Sequence, residues 1–361
     1  MKIPVRLGER SYDIAVTDSY RALPAHLRSL GLPTRGWIVS HEALLRRYGS
    51  ELLAPLRRAG WELETITVPE SERSKSLPVA QRLITALAKG SAMRLPVLFT
   101  FGGGVIGDLA GFVAAVYRRG IPYVQVPTTL LAQVDSGIGG KVGVDLPEGK
   151  NLVGAFYQPR AVWNNVSVLG SLPPRQRRSG IAEVIKYGVI ADAPLFTHLE
   201  RRMEDCLALK PSSVRMMVER SCRIKARVVA QDERETKTLR LHLNFGHTVG
   251  HALEAATGYR RWTHGEAIAI GMCAAAHLGV ETKRLPVGEF ERLVRVIRSA
   301  GLPVQATRVS RSAVLSALRY DKKFIHGRPR WVLPTRIGRV MVTENVPEAV
   351  VRRVLSCYVR L

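Results

Sequence analysis

The 361-residue chain contains little cysteine and few aromatic residues. Phe, Trp and Tyr make up 6% of it, and its four cysteines are widely spaced, with no Cys-x-x-Cys pair. We expect reduced packing thiols, as in a cytoplasmic protein, at Cys206, Cys222, Cys273 and Cys357. No apolar run reaches the roughly 18 residues that a membrane helix needs, and the N-terminal residues lack a signal-peptide core. The sequence therefore predicts a cytoplasmic protein with no membrane partner.

Acidic residues are scarce relative to basic ones. The chain has 30 Asp and Glu against 54 Lys and Arg, a formal net charge of +24. Such an excess suits either nucleic acid or a small anionic ligand. The basic residues are scattered, with no run of five, and few aromatic rings could stack on bases. We expect the ligand to be a phosphorylated metabolite and not nucleic acid. Tight, strongly salt-dependent binding of nucleic acid that substrate does not affect would favour the alternative.

The order of predicted elements changes near residue 170. Up to residue 169, short β-branched or apolar runs alternate with helical patterns, which predicts a mainly parallel, Rossmann-like α/β domain with helices on both sheet faces. The predicted strands are Gly36–Ser40, Leu63–Val68, Pro96–Phe101 and Val124–Pro127, and the predicted helices are His41–Ala59 and Leu77–Lys89. Residues 170–361 predict a mostly α-helical domain, with helices at Ile181–Val189, Val214–Gln231, Leu243–Ala256 and Ala267–Leu278.

Histidines are concentrated in one short stretch. The chain has nine, and His247, His251 and His264 fall within eighteen residues. His247 and His251 are four apart and would share one face of a helix. Imidazole is the commonest protein ligand of zinc-like metals, so a metal centre is one interpretation. The other is a pair of polar groups at the edge of a core. No glutamate follows His247, which argues against a His-Glu-x-x-His protease.

Two glycine-rich blocks indicate a phosphate-containing ligand. Gly102, Gly104 and Gly107 fit G-x-G-x-x-G between a predicted strand and helix, where backbone N–H groups can approach a phosphate. The block lies about a hundred residues into the chain, unlike the usual dinucleotide fingerprint, so a plain glycine turn is the alternative. A second block, Pro127–Lys141, leads to Lys150 and Asn151 in loop-like sequence. Lysine and asparagine together suit a hydroxylated, phosphorylated substrate.

Together these blocks resemble the 3-dehydroquinate synthase family of sugar phosphate cyclases. Nine blocks stand in the family's order over nearly the whole chain: Glu72-Arg-Ser-Lys75, Gly102 to Asp108, Tyr117-Arg-Arg-Gly120, Pro127 to Lys141, Gly149-Lys-Asn151, Gly180 to Gly188, Leu239 to Glu254, His264-Gly-Glu266 and Asp321-Lys-Lys323. Any one of them is a modest signal, but nine in order are specific.

The resemblance implies an NAD-binding domain over 1–169 and a metal- and substrate-binding domain over 170–361. It implies one divalent metal, zinc or cobalt, held by Glu183, His247 and His264, while His251 faces the substrate. The implied NAD contacts are Glu72, Lys75, Gly103, Gly104, Asp108, Thr128, Thr129 and Lys150. The implied substrate contacts are Arg119, Asp135, Asn151, Lys225, Lys322 and Lys323, of which Arg119 comes from the neighbouring subunit of a homodimer.

The resemblance also implies the reaction. The substrate, 3-deoxy-D-arabino-heptulosonate 7-phosphate, would undergo transient oxidation by NAD, loss of phosphate, reduction, ring opening and an intramolecular aldol to 3-dehydroquinate, in the shikimate pathway. The implied catalytic residues are Lys141, Lys186, Arg240, Asn244 and His251. Two alternatives remain: another sugar phosphate cyclase, such as an aminodehydroquinate synthase or one that uses sedoheptulose 7-phosphate, and a metal-dependent alcohol or glycerol dehydrogenase, which would release NADH.

Overall fold

The computed structural model describes residues 1–90, 95–319, 324–325 and 328–360. Its compact units are Met1–Leu172 with Lys225–Arg234 (unit 1) and Pro173–Ile224 with Glu235–Leu361 (unit 2). The strands are β1 (Lys2–Val5), β2 (Tyr12–Thr17), β3 (Arg35–Ser40), β4 (Glu62–Thr67), β5 (Val97–Gly102), β6 (Tyr123–Pro127), β7 (Lys141–Leu146), β8 (Gly149–Phe156), β9 (Ala161–Asn165), β10 (Phe324–Ile325), β11 (Arg328–Pro329), β12 (Trp331–Arg336) and β13 (Arg339–Thr343). The helices are α1 (Leu23–Ser29), α2 (Glu42–Arg58), α3 (Leu77–Gly90), α4 (Gly104–Val116), α5 (Pro174–Ala191), α6 (Ala193–Leu207), α7 (Pro211–Gln231), α8 (His247–Ala256), α9 (His264–Glu281), α10 (Val287–Ser299), α11 (Arg311–Arg319) and α12 (Glu348–Tyr358).

Unit 1 is built on a seven-stranded sheet of order β1-β2-β9-β6-β5-β3-β4. Only β1, at one edge, runs antiparallel to its neighbour; the other adjacent pairs are parallel. The four strands expected from β-branched runs are present as β3, β4, β5 and β6. This mainly parallel sheet confirms the predicted α/β class. Because parallel strands end at a common edge, the loops after β5 and β6 lie side by side.

Hydrophobic side chains cover both faces of this sheet. Successive residues of a strand point to opposite faces, and in β5 Leu98 enters one buried cluster while Phe99 enters the other. The first cluster includes residues of α3, α4 and β7, and the second includes residues of α1 and α2. The sheet is therefore sandwiched between helical layers, which holds the carboxyl ends of β5 and β6 in a rigid frame.

Unit 2 is mostly helical. Helix α5 is buried continuously from Ser179 to Ile190, most residues of α9 are buried, and α8 packs against α9. A β12–β13 hairpin accompanies the helices. In the described part of the chain, no helix combines the length and the apolar character needed to cross a membrane.

One predicted helix boundary is wrong. The pattern predicts a helix from Leu243 to Ala256, but a 3₁₀ turn covers Leu239–Asn244 and α8 starts at His247. Gly246 adopts φ = +80°, which an α-helix cannot include, and this residue breaks the continuous pattern. The break makes His247 the first residue of its helix.

Candidate functional site

Three helices of unit 2 bring one carboxylate and two imidazoles together. Glu183 lies in the middle of α5, His247 begins α8 and His264 begins α9. One ligand atom from each lies within 4.8 Å of the others. Glu183 is fully buried and His247 nearly so, although both are polar. This is the ligand set that the family resemblance implied.

The ring nitrogens are oriented for metal binding. His247 Nδ1 lies 3.1 Å from the carbonyl oxygen of Phe245, which can only accept, so Nδ1 carries the hydrogen. In the neutral ring, Nε2 is then the atom that could bind a metal, and it lies 3.4 Å from Glu183 Oε1; in the protonated ring the same atom donates to that oxygen. His264 is arranged in the same way, with Nε2 3.1 Å from Glu183 Oε1 and Nδ1 3.5 Å from Glu254 Oε2. Metal-binding histidines commonly donate their second N–H to a carbonyl or a carboxylate, so the donor set fits a zinc-like ion.

Helix α9 is fixed at its start by local sequence. Thr263 and Glu266 form a capping box, and Glu266 also accepts from Arg175 at 2.6 and 2.8 Å. The backbone N–H of Gly265 donates to Ser179 Oγ at 3.0 Å. A Cβ at Gly265 would lie 2.3 Å from the carbonyl oxygen of Ser179. Only glycine allows α9 to approach α5 this closely, and the approach brings His264 to Glu183.

A second glycine contact sets the start of α8. A Cβ at Gly271 would lie 1.9 Å from the carbonyl oxygen of Gly246, and a Cβ at Gly250 would lie 3.1 Å from Ile268 Cα. Helices α8 and α9 therefore touch backbone to backbone. This contact places His247 beside His264, with ring centroids 5.1 Å apart.

The electrostatics of the cluster keep the carboxylate charged. Burial alone would raise the pKa of Glu183, but the charge of Lys186 and hydrogen bonds with His247 and His264 outweigh it, and the pKa falls well below its usual range. Burial lowers the pKa of His247. Burial also opposes a charged His264, but contacts with Glu183 and Glu254 outweigh it and raise its pKa to about 10. With no metal bound, the proton on His264 therefore occupies the place beside Glu183 that a divalent cation would take, and metal binding would displace it.

His251 forms a second, overlapping group. Among the described residues, His251, Glu254 and His264 also have ligand atoms within 4.8 Å of one another. His251 is exposed, and its ring centroid lies 5.3 Å from that of His247. It borders the Glu183 cluster from the solvent side. Glu254 was not identified from the sequence, because a glutamate inside a helix gives no signal until its partner is known.

The other predicted catalytic residues of unit 2 differ in exposure. Lys186 is buried against Glu183 Oε2, with its ammonium 4.5 Å from the centre of the Tyr187 ring. Arg240 is 2% exposed, and Asn244 ends the same 3₁₀ turn in a half-buried position. Lys322 and Lys323 lie outside the described residues.

In unit 1 the glycine-rich block forms a strand–turn–helix, as predicted. Gly102 ends β5, Gly103 is the N-cap of α4 and Gly104 is its first residue. A Cβ at Gly103 would lie 3.0 Å from Thr129 Cγ2, so the turn after β6 packs directly on it. The N–H of Thr128 donates to Gly102 O at 3.0 Å. Four of the predicted NAD contacts, Gly103, Gly104, Thr128 and Thr129, thus meet at the carboxyl edge of the sheet.

The remaining predicted NAD contacts belong to two linked ion pairs. Lys75, only 5% exposed, places Nζ 2.7 Å from Asp108 Oδ2 and 4.0 Å from Asp145 Oδ1, and it also donates to Asn151. Lys150 pairs with Glu72 at 2.8 Å. Asn151, predicted for substrate, is therefore held beside the predicted cofactor residues. Asp145 was missed, because an isolated aspartate in a hairpin is usually a solvated turn residue.

Burial affects the two partners of the Lys75–Asp108 pair differently. It opposes a charged Lys75, but Asp108 outweighs it and the pKa of Lys75 rises. Burial raises the pKa of Asp108, and Lys75 only partly offsets this rise. The carboxylate of Asp108 therefore depends on Lys75 for its charge.

Two predicted substrate residues of unit 1, Asp135 and Lys225, meet at the second glycine-rich block. Asp135 lies in a π-helical turn, Ala132–Ser136, a feature often found at functional sites. Lys225, 7% exposed, donates to the Asp135 backbone oxygen at 2.8 Å and lies 2.9 Å from its carboxylate. Lys141 begins β7 and is exposed. Arg119 is exposed on a 3₁₀ turn, where Arg118 and Arg119 both adopt positive φ, +49° and +66°. Such strain in two consecutive non-glycine residues is typical of functional loops.

The chain matches known proteins over most of its length. The family described as 3-dehydroquinate synthase N-terminal matches residues 65–179, and the C-terminal counterpart matches 180–324. The 3-dehydroquinate synthase of Nostoc punctiforme is 46% identical over 358 residues, covering 98% of each chain. That of Caldanaerobacter subterraneus subsp. tengcongensis is 44% identical, covering 97% of this chain and 99% of the relative.

A solved structure supports the same relationship. The 2-epi-5-epi-valiolone synthase of Streptomyces hygroscopicus, with NAD⁺ and Zn²⁺ bound, superposes with a TM-score of 0.89 at 28% identity over 98% of both chains. The predicted resemblance and the predicted enzyme class are confirmed. From the two family matches and its full-length relatives, the chain belongs to the 3-dehydroquinate synthase family.

Proposed function

We propose that this chain is a 3-dehydroquinate synthase that converts 3-deoxy-D-arabino-heptulosonate 7-phosphate into 3-dehydroquinate and phosphate, using NAD and one divalent metal. The observation that carries the proposal is the buried cluster of Glu183, His247 and His264, in a chain whose relatives at 44–46% identity bear this name. The valiolone synthase, which shares the fold at 28% identity, was solved with NAD⁺ and Zn²⁺. We extend the same cofactors to this chain, with cobalt as an alternative metal.

Each group of residues has a role that follows from its surroundings. Glu183, His247 and His264 would hold the metal, and the glycine turn with Thr128 and Thr129 would hold the NAD phosphates near the N-terminus of α4. When bound, the metal supplies Lewis-acid polarisation of substrate hydroxyls and NAD supplies a reversible hydride acceptor. Lys75 and Asp108 would position the nucleotide, together with Glu72, Gly103, Gly104 and Lys150.

The remaining roles concern the substrate. Asp135, Lys141, Asn151 and Lys225 of unit 1, and Lys186, Arg240, Asn244 and His251 of unit 2, would bind or polarise it, with Lys322 and Lys323. Arginine and lysine suit the carboxylate and phosphate that this substrate carries. His251, exposed beside the metal ligands, is our candidate for proton transfer, since imidazole can both accept and donate a proton near physiological pH. We further propose a cytoplasmic homodimer in which Arg119 reaches the neighbouring subunit's substrate.

The test combines purified protein, NAD, zinc or cobalt and the heptulosonate phosphate. We expect release of inorganic phosphate without net NADH, abolished by a chelator and by His264→Ala. Absence of phosphate release with metal and NAD present would refute the proposal. Net NADH formation would indicate a dehydrogenase, and faster turnover of sedoheptulose 7-phosphate would indicate the other cyclase reaction.

A further inference from the structure

The loop from Asp135 to Lys141 connects two residues proposed to bind substrate. It leaves the π-helical turn after Ser136, passes through Gly139 and Gly140 at φ = +97° and +64°, and enters β7 at Lys141. Glycine adopts such angles without strain but restricts the backbone least. Backbone hydrogen bonds fix the loop on either side of Gly139, since Ile138 donates to Asp135 O at 3.0 Å and Gly140 O accepts from Tyr157 at 2.8 Å, so the side chains that contact Gly139 set the segment between them.

Two side chains hold Gly139, one at its N–H and the other at its carbonyl oxygen. Its N–H donates to the hydroxyl of Tyr12 at 3.0 Å, and its carbonyl oxygen lies 3.4 Å from Gln158 Nε2. Gln158 is 8% exposed. Its side chain also packs closely on Gly140, where an added Cβ would lie 2.7 Å from it. The same Nε2 donates to Glu233 Oε1 at 3.1 Å. A primary amide has two N–H groups, so Gln158 can donate to the Gly139 carbonyl oxygen and to the Glu233 carboxylate at the same time.

Glu233 is itself anchored. Arg10 donates to both carboxylate oxygens, at 3.1 and 2.8 Å, in the bidentate geometry that gives strong, directional pairs. The hydrogen bond from Arg10 lowers the pKa of Glu233, so the carboxylate stays ionised to a lower pH than a free glutamate would. The carboxylate therefore orients the Gln158 amide with its nitrogen toward Gly139.

The other end of the loop is held by the same stretch of chain. Lys225, in the part of α7 that belongs to unit 1, contacts the backbone and the carboxylate of Asp135 at 2.8 and 2.9 Å. Glu233 follows the last residue of α7, Gln231, by two positions. Residues 225–234 thus hold the loop at Asp135 directly and at Gly139 through Gln158.

We propose that Glu233, acting through Gln158, is a positioning residue that sets the Asp135–Lys141 loop in the arrangement that binds substrate, without touching substrate itself. The proposal deepens the function proposed above and rests on it. A loop displaced by about 1 Å can cost two orders of magnitude in rate or affinity. The effect falls on the substrate, because the loop carries Asp135 and Lys141 and none of the predicted metal ligands.

The test compares Glu233→Ala and Gln158→Met with Glu219→Ala. Glu219 lies on α7 and is a matched control, since its side chain is 18% exposed against 15% for Glu233, and its arginine contacts are long, at 3.9 and 4.0 Å. We expect the two loop variants to raise KM for the heptulosonate phosphate by about tenfold or more, with metal and NAD affinities unchanged. Glu233→Gln, which keeps an acceptor oxygen, should recover part of the loss. Because both residues act through one contact, the double variant Glu233→Ala/Gln158→Met should raise KM no more than the more affected single variant does.

Amide hydrogen exchange over residues 137–141 provides a readout independent of turnover. Exchange should be faster in both loop variants and unchanged in Glu219→Ala. Unchanged KM with unchanged exchange would overturn the proposal, and so would parallel losses of stability, NAD affinity and metal affinity, which indicate a general structural role. If the wild-type protein releases no phosphate, the proposed function fails, and the exchange measurement alone then decides whether Glu233 positions the loop.

Discussion

Replacing Gly271 by alanine should weaken metal binding, although Gly271 is not itself a proposed metal ligand. The new Cβ would stand 1.9 Å from the carbonyl oxygen of Gly246 and 2.9 Å from Gly250 N, whereas real Cβ contacts essentially never fall below 3.0 Å. Both obstacles are backbone atoms, so no side chain can rotate away. Helix α8 must therefore move from α9 by about 1 Å, and His247, the residue after Gly246, must move with it.

The magnitude follows from two opposing terms. Alanine inside a helix is better than glycine by up to about 1 kcal/mol. Overpacking of a close contact typically costs about 1–3 kcal/mol, occasionally more, and here the obstacle is rigid. We expect a net loss of stability of about 1–2 kcal/mol. For metal affinity we expect a loss of at least about tenfold, because a shift near 1 Å disrupts a three-ligand site.

The assay is competition for zinc against a chromophoric chelator, combined with urea unfolding. The control is Gly288→Ala, since Gly288 lies in α10, is exposed and has nothing within 4 Å of its Cβ position. It should bind zinc like the wild type and be equally or slightly more stable. If Gly271→Ala retains wild-type zinc affinity, the argument that this helix contact places His247 is wrong.

Three further predictions test the charged groups. Lys75→Met should destabilise unit 1 by about 3 kcal/mol at pH 8, because it leaves Asp108 without its buried partner. Burial raises the folded-state pKa of Asp108 above its unfolded value, and removing Lys75 takes away the group that opposes this rise. The folded variant therefore binds the extra proton as the pH falls, and its deficit in the free energy of unfolding by urea should shrink from pH 8 to pH 5. A deficit that grows over this range would contradict the prediction. His247→Ala should lower zinc affinity far more than His251→Ala in the chelator assay, and the reverse order would favour the overlapping group of His251, Glu254 and His264. Glu183→Gln, which keeps an oxygen but removes the charge, should lower zinc affinity at least as much as His247→Ala, and a near-normal affinity would show that the charge is dispensable.

The sequence predicted the elements whose signal is local. Strands β3 to β6 follow from short β-branched runs, and α2 and α3 from helical periodicity between them. The contribution of residues 225–234 to unit 1 was not predicted, because the apolar pattern of α7 continues without interruption across that point. Strand β9 was also missed. It is only five residues long, and its buried residues include the polar Asn164 and Asn165, which weaken a hydrophobic signal.

The site was predictable in composition and less so in geometry. Helical spacing pairs His247 with His251, and their rings do lie 5.3 Å apart. Spacing cannot show that Gly246 ends one segment and starts another, nor that Glu183 arrives from another helix. The family resemblance supplied that ligand set, which the geometry of the described residues accommodates. Glu254 and Asp145 came only from the structure, because their importance lies in contacts with residues distant in sequence.

The arrangement of the cluster explains why a buried carboxylate is needed. His247 and His264 are the first residues of α8 and α9, and helix N-termini carry partial positive charge that disfavours a cation. Two such termini converging on one point would oppose metal binding if the ligands were imidazoles alone. Glu183 supplies the opposite charge, and Glu254 adds a second carboxylate behind His264. The charge of Glu183 should therefore matter beyond its role as one ligand atom among three, because it must offset both helix termini before any cation can bind.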